Sequence, residues 1–341
     1  MSKNNGNVIR LGSALAISLG LGLASLYLVA PDLFDHDLRS IFGRLNFLAL
    51  AGMAVPVLLW WLLSGWRIVF LTARTAHPTT FWQGVQTHIL GTFSAVATPS
   101  GGGNSIGIVF LLNRFGLPAN EAVAVAVMCV VGDLAFFGWA APASYLALRF
   151  TGVQLPLEQL GVLVAALSAV AILASYLLVF RLPLAIQLLR RATAHRFLRR
   201  FHSRTDSFLK DLSLASRGYS SRPWHWHLRF HLLSGAARLP YFAVLNLVLI
   251  GLLMSAEHGV VYTVQIVLHA FAFLVPTPGA SGYQEAAITY ALRGQVSGGA
   301  LAVAVLIWRF FQHYLYFLLG PLIGGLALAG AGRRASVEEG E

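Results

Sequence analysis

Charge is scarce in this chain. Of its 341 residues, 11% are Asp, Glu, Lys or Arg, against roughly 25% in a soluble globular domain. That shortage excludes an ordinary cytosolic enzyme. It also excludes disorder, which combines low hydrophobicity with high charge. Acids are the scarcest class, 13 against 24 basic residues, so the net charge is +11. Lysine is nearly missing, because 22 of the 24 basic residues are Arg. Cysteine is down to one, Cys129, inside an apolar run. A single cysteine can form neither an internal disulfide nor a cysteine metal cluster, and it reads as a packing residue. The glycine-rich stretch at Gly101–Gly103 is not followed by Gly-Lys-Ser or Gly-Lys-Thr, so it is not a nucleotide P-loop. ATP-driven pumping by this chain alone is therefore not expected. His88, His269 and His313 form no HxxxH or HExxH pair, and no metal site or cofactor is expected.

Apolar residues are plentiful, at 57%, and mean hydropathy is +0.70. A spanning helix needs about 20 apolar residues, and several uncharged runs reach that length. The fold class expected is an all-α polytopic membrane protein, one membrane domain over 1–341. The pI near 10.4 would suggest nucleic acid in a soluble protein. Here basic residues are better read as cytoplasmic loop charges that orient the chain, and no nucleic-acid partner is expected.

Eight hydrophobic segments can be read along the chain. Leu11–Ala30 is a first span rather than a signal peptide, since its uncharged run exceeds a typical h-region. An acidic loop with Asp32, Asp35 and Asp37 follows, then Leu45–Trp66, with Arg67 and Arg74 as its flank. Thr75 to Asn113 is uncharged for 39 residues and is broken by TPSGGGN at Thr98–Asn104. Ala122–Leu148 carries Asp133, and Gln159–Phe180 follows. The segment 181–229 holds eleven Lys or Arg, with Asp206 and Asp211. Within it Leu184–Leu198 suits an amphipathic surface helix, and the PWHWH at Pro223–His227 suits an interfacial anchor. Phe230–Ala256 carries Arg238 and Pro240; Gly259–Gln284 is broken by PTPGASG at Pro276–Gly282; Ala300–Ala329 carries Arg309. The tail 332–341 reads as loose.

Basic loops place the N-terminus, Arg67–Arg74, 181–229 and Arg333–Arg334 in the cytoplasm, and 31–43 and 149–158 outside. This is consistent if 75–117 and 259–293 each enter and return on one side. Pro and Gly at each break leave backbone groups unpaired, which is tolerated at membrane depth only inside protein or beside water. Six full spans plus two re-entrant hairpins are thus expected, with both termini cytoplasmic.

The two broken segments match. Val85-Gln86 and Val264-Gln265 lie 179 residues apart, as do Val96 and Val275, Thr98-Pro99 and Thr277-Pro278, Gly103 and Gly282, and Arg114 and Arg293. The halves 11–148 and 159–331 then form an inverted internal repeat. Inverted repeats with broken helices are a transporter architecture, with the substrate site at the midplane between the halves.

The stretch TPSGGGNSIGIVFLLNRFGLPANEAVAVAVM and the later TPGASGYQEAAITYAL resemble the lysylphosphatidylglycerol synthase transmembrane region, a flippase-like membrane family. The motifs that carry the resemblance are Thr98–Asn104, Leu111–Gly116, Pro276–Glu285 and Trp308-Arg309, with Trp66-Arg67 as a further fit. The resemblance implies an inner-membrane protein with two re-entrant hairpins that handles lipid. The full synthases carry a soluble aminoacyl-transfer domain after the membrane part; this sequence ends about ten residues past its last span, so that activity is not expected of it. Asn104-Ser105 stands where relatives often have a bulkier polar pair, so substrate identity does not carry over.

The hairpin tips are the expected substrate site: Thr98, Pro99, Gly101, Gly102, Gly103 and Asn104 in one, Thr277, Pro278, Gly279, Ser281, Gly282, Gln284 and Glu285 in the other. The three glycines suit either a phosphate approaching backbone amides or a tight turn. Intramembrane charge is functional by default. Glu285 can pair with Arg309, as a lock or as part of the site. Asp133 can bind a cation, relay a proton or pair with Arg238. The basic 181–229 segment is a topology anchor or a collector of anionic headgroups. The leading function is transport of a phosphate-bearing lipid, an anionic phospholipid or a lipid-linked substrate. An integral-membrane headgroup enzyme and a non-catalytic scaffold are the alternatives.

Overall fold

Helix dominates wherever apolar runs are long, because backbone groups in a bilayer must be paired within the segment. The computed structural model describes residues 47–75, 77–99, 101–151, 157–181, 218–296 and 298–338, with single positions at 16, 20, 24, 27, 184 and 187. Apart from those single positions, the expected first span Leu11–Ala30, the acidic loop after it, and the amphipathic helix Leu184–Leu198 lie outside the described residues. The helices are α1 (Phe47–Thr72), α2 (Phe81–Val96), α3 (Asn104–Arg114), α4 (Ala119–Leu148), α5 (Leu157–Phe180), α6 (Trp224–Gly251), α7 (His258–Ala272), α8 (Tyr283–Leu292), α9 (Gly298–Arg309) and α10 (Leu315–Glu338). A π-helical turn, Phe310–Tyr314, joins α9 to α10.

Among the described residues five helices are long and apolar enough to cross a membrane: α1, α4, α5, α6 and the α9–α10 unit. They coincide with five of the expected spans. Prolines 56, 142, 240 and 321 lie inside four of them, as membrane helices tolerate. The broken segments form the short pairs α2–α3 and α7–α8, whose helices have 16, 11, 15 and 10 residues. At about 1.5 Å rise per residue none reaches the roughly 30 Å of a hydrocarbon core.

Local chemistry sets these boundaries. Thr80 caps α2: its hydroxyl accepts from the Gln83 amide at 3.3 Å, and the Gln83 side chain accepts from the Thr80 amide at 2.8 Å, a complete capping box. The Leu112 to Gly116 turn ends α3, with Gly116 at φ +96°. Trp224 opens α6 after Pro223, whose φ of −65° suits a helix start, so the expected anchor PWHWH is the first turn of that helix.

Three elements differ from expectation in their boundaries; the span expected over Phe230–Ala256 is Trp224–Gly251. The second span does not stop at Trp66; α1 runs on to Thr72. The residues after Arg67 are Ile-Val-Phe-Leu, and Arg67 itself is buried, 5% exposed, so it lies within the helix and is no flank. The end of the chain, expected loose from 332, is helical through Glu338; no Gly or Pro follows Gly332 until Gly340 to stop it.

Lipid tails are as apolar as leucine, so helix association in a bilayer relies on close packing. Helices α1 and α2 cross at Gly65 and Gly84. A Cβ on Gly84 would stand 2.5 Å from the Gly65 carbonyl oxygen, and one on Gly65 would stand 2.5 Å from Val85 Cγ2. One buried cluster joins α1 and α4 to α6–α9 through Val57, Leu245, Val264 and Trp308. A second gathers Ile68, Leu112, Val125 and Phe230. A third, with Trp60, Ile89, Phe136, Tyr241 and Tyr316, ties α2 and α10 to the centre.

Candidate functional site

The turns of the two short helix pairs touch. Pro99 and Pro278 form an isolated antiparallel β-bridge. Each turn is closed by its own threonine. Thr98 Oγ1 donates to the Ser94 carbonyl at 2.7 Å and accepts from the Gly103 amide at 2.8 Å. Thr277 Oγ1 donates to the Ser281 carbonyl at 2.8 Å. Backbone at the tips is left-handed at Gly101 (φ +68°), Gly279 (φ +55°), Ala280 (φ +53°) and Gly282 (φ +89°). Glycine adopts that region freely, which is why these breaks need it.

Beside the α7–α8 turn sits the first charged group. Arg309 (2% exposed) and Glu285 (1% exposed) are buried. Arg309 Nε donates to Glu285 Oε1 at 2.7 Å. Its Nη1 donates to Gln284 Oε1 at 3.0 Å, and its Nη2 to Ser281 Oγ at 3.0 Å and to the Gly279 carbonyl at 3.2 Å. Glu285 Oε2 accepts from the Gly282 amide at 2.8 Å. One guanidinium thus holds four residues of one turn, and the fork geometry of arginine allows it.

A second charged group lies between α1, α4 and α6. Arg67 Nη1 donates to Asp133 Oδ1 at 2.6 Å. Arg238 Nε donates to the same oxygen at 3.0 Å, and Arg238 Nη2 donates to Asp133 Oδ2. Asp133 therefore meets two arginines. The pairing with Arg238 was open from sequence, whereas Arg67 was assigned to a loop. The signal that could have found it is the uninterrupted apolar run on both sides of Arg67.

Both groups border one cavity of about 380 Å³. Arg67, Arg238, Arg309 and Asp133 line it, and Glu285 stands behind Arg309. Of the expected tip residues, Gly101, Gly102, Asn104, Gly279 and Gln284 line it. Thr98, Pro99, Gly103, Thr277, Pro278, Ser281, Gly282 and Glu285 are not on its wall; they shape and fasten the turns behind it. Gln312, which stands to Asp133 in the 179-residue register, is on the wall too. So are His88, His269 and His313.

Aromatic residues on the wall were not expected. Trp60 meets His88 and Tyr241 edge-on, with ring centroids 4.9 and 4.6 Å apart. His269 Nδ1 is 3.2 Å from Gln284 Nε2. His88 Nε2, both ring nitrogens of His313, Arg67 Nε and Gln312 Oε1 are buried without a partner. Unpaired buried polar atoms are costly, and these five belong to four residues of the cavity wall. On two flanking helices Val130 and Phe273 line the cavity and are also 37% and 46% exposed. Among the described residues no three His, Cys, Asp or Glu side chains gather as metal ligands would.

The sequence of this chain is similar to those of known membrane proteins. The chain is similar to a "UPF0104 membrane protein" of Archaeoglobus fulgidus, 22% identical over 304 residues, covering 83% of this chain and 88% of the relative. The family model for the Lysylphosphatidylglycerol synthase TM region matches residues 13–320. With nearly its whole length matched, the chain belongs to the Lysylphosphatidylglycerol synthase TM region family, whose flippase-like membrane proteins handle lipid.

Proposed function

We propose that this protein moves a phosphate-bearing lipid between leaflets, with the headgroup held in the cavity between the two turns. The observation that carries this is the charge on the wall: three arginines and one carboxylate. An anion supplies what that wall lacks. Family membership supports a lipid as the source of the anion. A cavity of about 380 Å³ takes a headgroup. The apolar flank at Val130 and Phe273 lets the acyl chains stay in the bilayer.

In this reading α2–α3 and α7–α8 are re-entrant hairpins, because none of the four helices is long enough to cross alone. The halves are an inverted repeat. Pro99 and Pro278 are register partners, and their antiparallel bridge is the pairing that a two-fold axis between the halves would produce. Alternating access rocks one half against the other around that axis. The basic 181–229 segment keeps to the cytoplasmic face of the cell membrane, with both termini on that side.

Transport is favoured over chemistry on the headgroup by the family. Asp133 and Glu285 are both engaged by arginine, so a headgroup enzyme would draw its base from His88, His269 or His313 on the wall.

The test is translocation of a fluorescent phospholipid in proteoliposomes. Arg238→Gln and Arg309→Ala are expected to abolish protein-dependent flipping while the variants remain inserted. Unchanged flipping in both would overturn this site.

A further inference from the structure

One hydrogen bond at the cavity wall settles which nitrogen of a histidine carries the proton. We propose that His269 is a ligand-binding residue: a neutral imidazole protonated on Nε2, which donates that N–H to the phosphate of the headgroup. This deepens the flippase reading and rests on it.

Arginine can only donate, so the Gln284 atom that meets Arg309 Nη1 at 3.0 Å is the carbonyl oxygen. The other end of that amide is then the NH2, which only donates. It stands 3.2 Å from His269 Nδ1. Nδ1 must therefore offer a lone pair, and a ring with its lone pair on Nδ1 carries its hydrogen on Nε2. Turning the amide over would set donor against donor at Arg309 and forfeit a charge-assisted bond. Arg309 is itself held by Glu285, by Ser281 and by the Gly279 carbonyl. The relay from Arg309 through Gln284 to His269 thus starts from a fixed guanidinium.

The ring is fixed in direction as well. Phe137 stacks on it at 5.6 Å between centroids, and Tyr241 and Phe242 meet it edge-on at 5.0 and 5.7 Å. His269 lines the cavity and is half-buried. Among the described residues its Nε2 makes no hydrogen bond, yet it is not shut away as His88 Nε2 and both nitrogens of His313 are. A donor whose hydrogen is already placed needs no rearrangement when an anion arrives, which is what preorganisation supplies. The same tautomer removes His269 from the bases open to a headgroup enzyme, because Nε2 has no lone pair and that of Nδ1 is taken.

The test is native mass spectrometry of the delipidated full-length protein offered phosphatidylglycerol, with two substitutions that separate the ring nitrogens. His269→Gln puts an amide N–H near the position of Nε2 and gives up Nδ1. His269→Asn puts a carbonyl oxygen near the position of Nδ1, still able to accept from Gln284, and gives up Nε2. His269→Asn is expected to retain about tenfold less lipid than wild type, the factor of one hydrogen bond to a charged group. His269→Gln is expected to recover most of that loss. A residue that only held Gln284 in place would give the reverse order, and that order would overturn the inference. So would wild-type retention in His269→Asn. Should both variants lose lipid, heteronuclear NMR of protein labelled at its histidine nitrogens decides, with the His269 signal assigned by its absence from His269→Gln. A neutral ring protonated on Nε2, whose N–H signal moves on adding phosphatidylglycerol, upholds the proposal. A proton on Nδ1, or an N–H signal that does not move, overturns it. Lipid lost in Arg238→Gln but held in His269→Asn would overturn this inference and leave the cavity reading standing. A lipid shell identical in wild type, His269→Asn and Arg238→Gln would overturn both.

Discussion

Asp133 illustrates how a single buried carboxylate decides the sign of a site. Two arginines face it, so the group carries one positive charge in excess. Removing one partner of a buried ion pair costs about 3–5 kcal/mol, because the other is left uncompensated. Asp133→Asn would leave two guanidiniums unbalanced, whereas Arg67→Gln would leave a neutral Arg238–Asp133 pair. Thermal unfolding in detergent is expected to show a clearly larger loss for Asp133→Asn than for Arg67→Gln. Equal losses would mean that the two arginines do not share the carboxylate. An anionic lipid is further expected to restore part of the Asp133→Asn loss, since a ligand stabilises the state it binds.

Between helices, the two turns are built alike but fastened differently. Each is closed by its threonine, and among the described residues only the second is held by an arginine on another helix. The register partners of Glu285 and Arg309 are Ile106 and Val130, which cannot form that clamp. Ile106 is instead 70% exposed. Hydrogen exchange is expected to rise over 277–285 in Arg309→Ala and to stay unchanged over 98–104. A rise at both turns would refute independent fastening. The α1–α2 crossing is fastened by size. Gly84→Leu would push a side chain into the Gly65 carbonyl 2.5 Å from its Cβ. Overpacking of this kind costs about 1–3 kcal/mol, and it is expected as a lowered unfolding temperature with α1 and α2 still inserted.

Across the molecule, the two halves meet at Pro99 and Pro278. Antiparallel β partners have Cα atoms about 4.5–5.5 Å apart, inside the range a disulfide spans. The double variant Pro99→Cys/Pro278→Cys is expected to cross-link on mild oxidation. Lipid flipping is expected to fall with the cross-link and to return on reduction. Cross-linking without any loss of flipping would show that the turns need not part during transport. The native Cys129 is buried and lies in neither turn.

Hydrophobicity and glycine-proline punctuation sufficed for much of this. Spanning helices answer to apolar length alone, since the bilayer forces internal hydrogen bonding whatever the neighbours. The five long helices were therefore legible, as were the two breaks and the 179-residue register that relates them. Pairing of Glu285 with Arg309 followed from the cost of isolated charge in a span. Arg67 was misread for the same reason: charge was taken to mark a span's end, and only its approach to Asp133 to 2.6 Å shows why it can stay inside. The approach of Trp60, His88 and Tyr241 to one wall left no trace in spacing, because they come from α1, α2 and α6, far apart in sequence. Helix length and break positions are local properties of the chain. Which side chains share a cavity, and whether its charge is positive or neutral, depends on how helices cross, and that is settled by packing between distant segments.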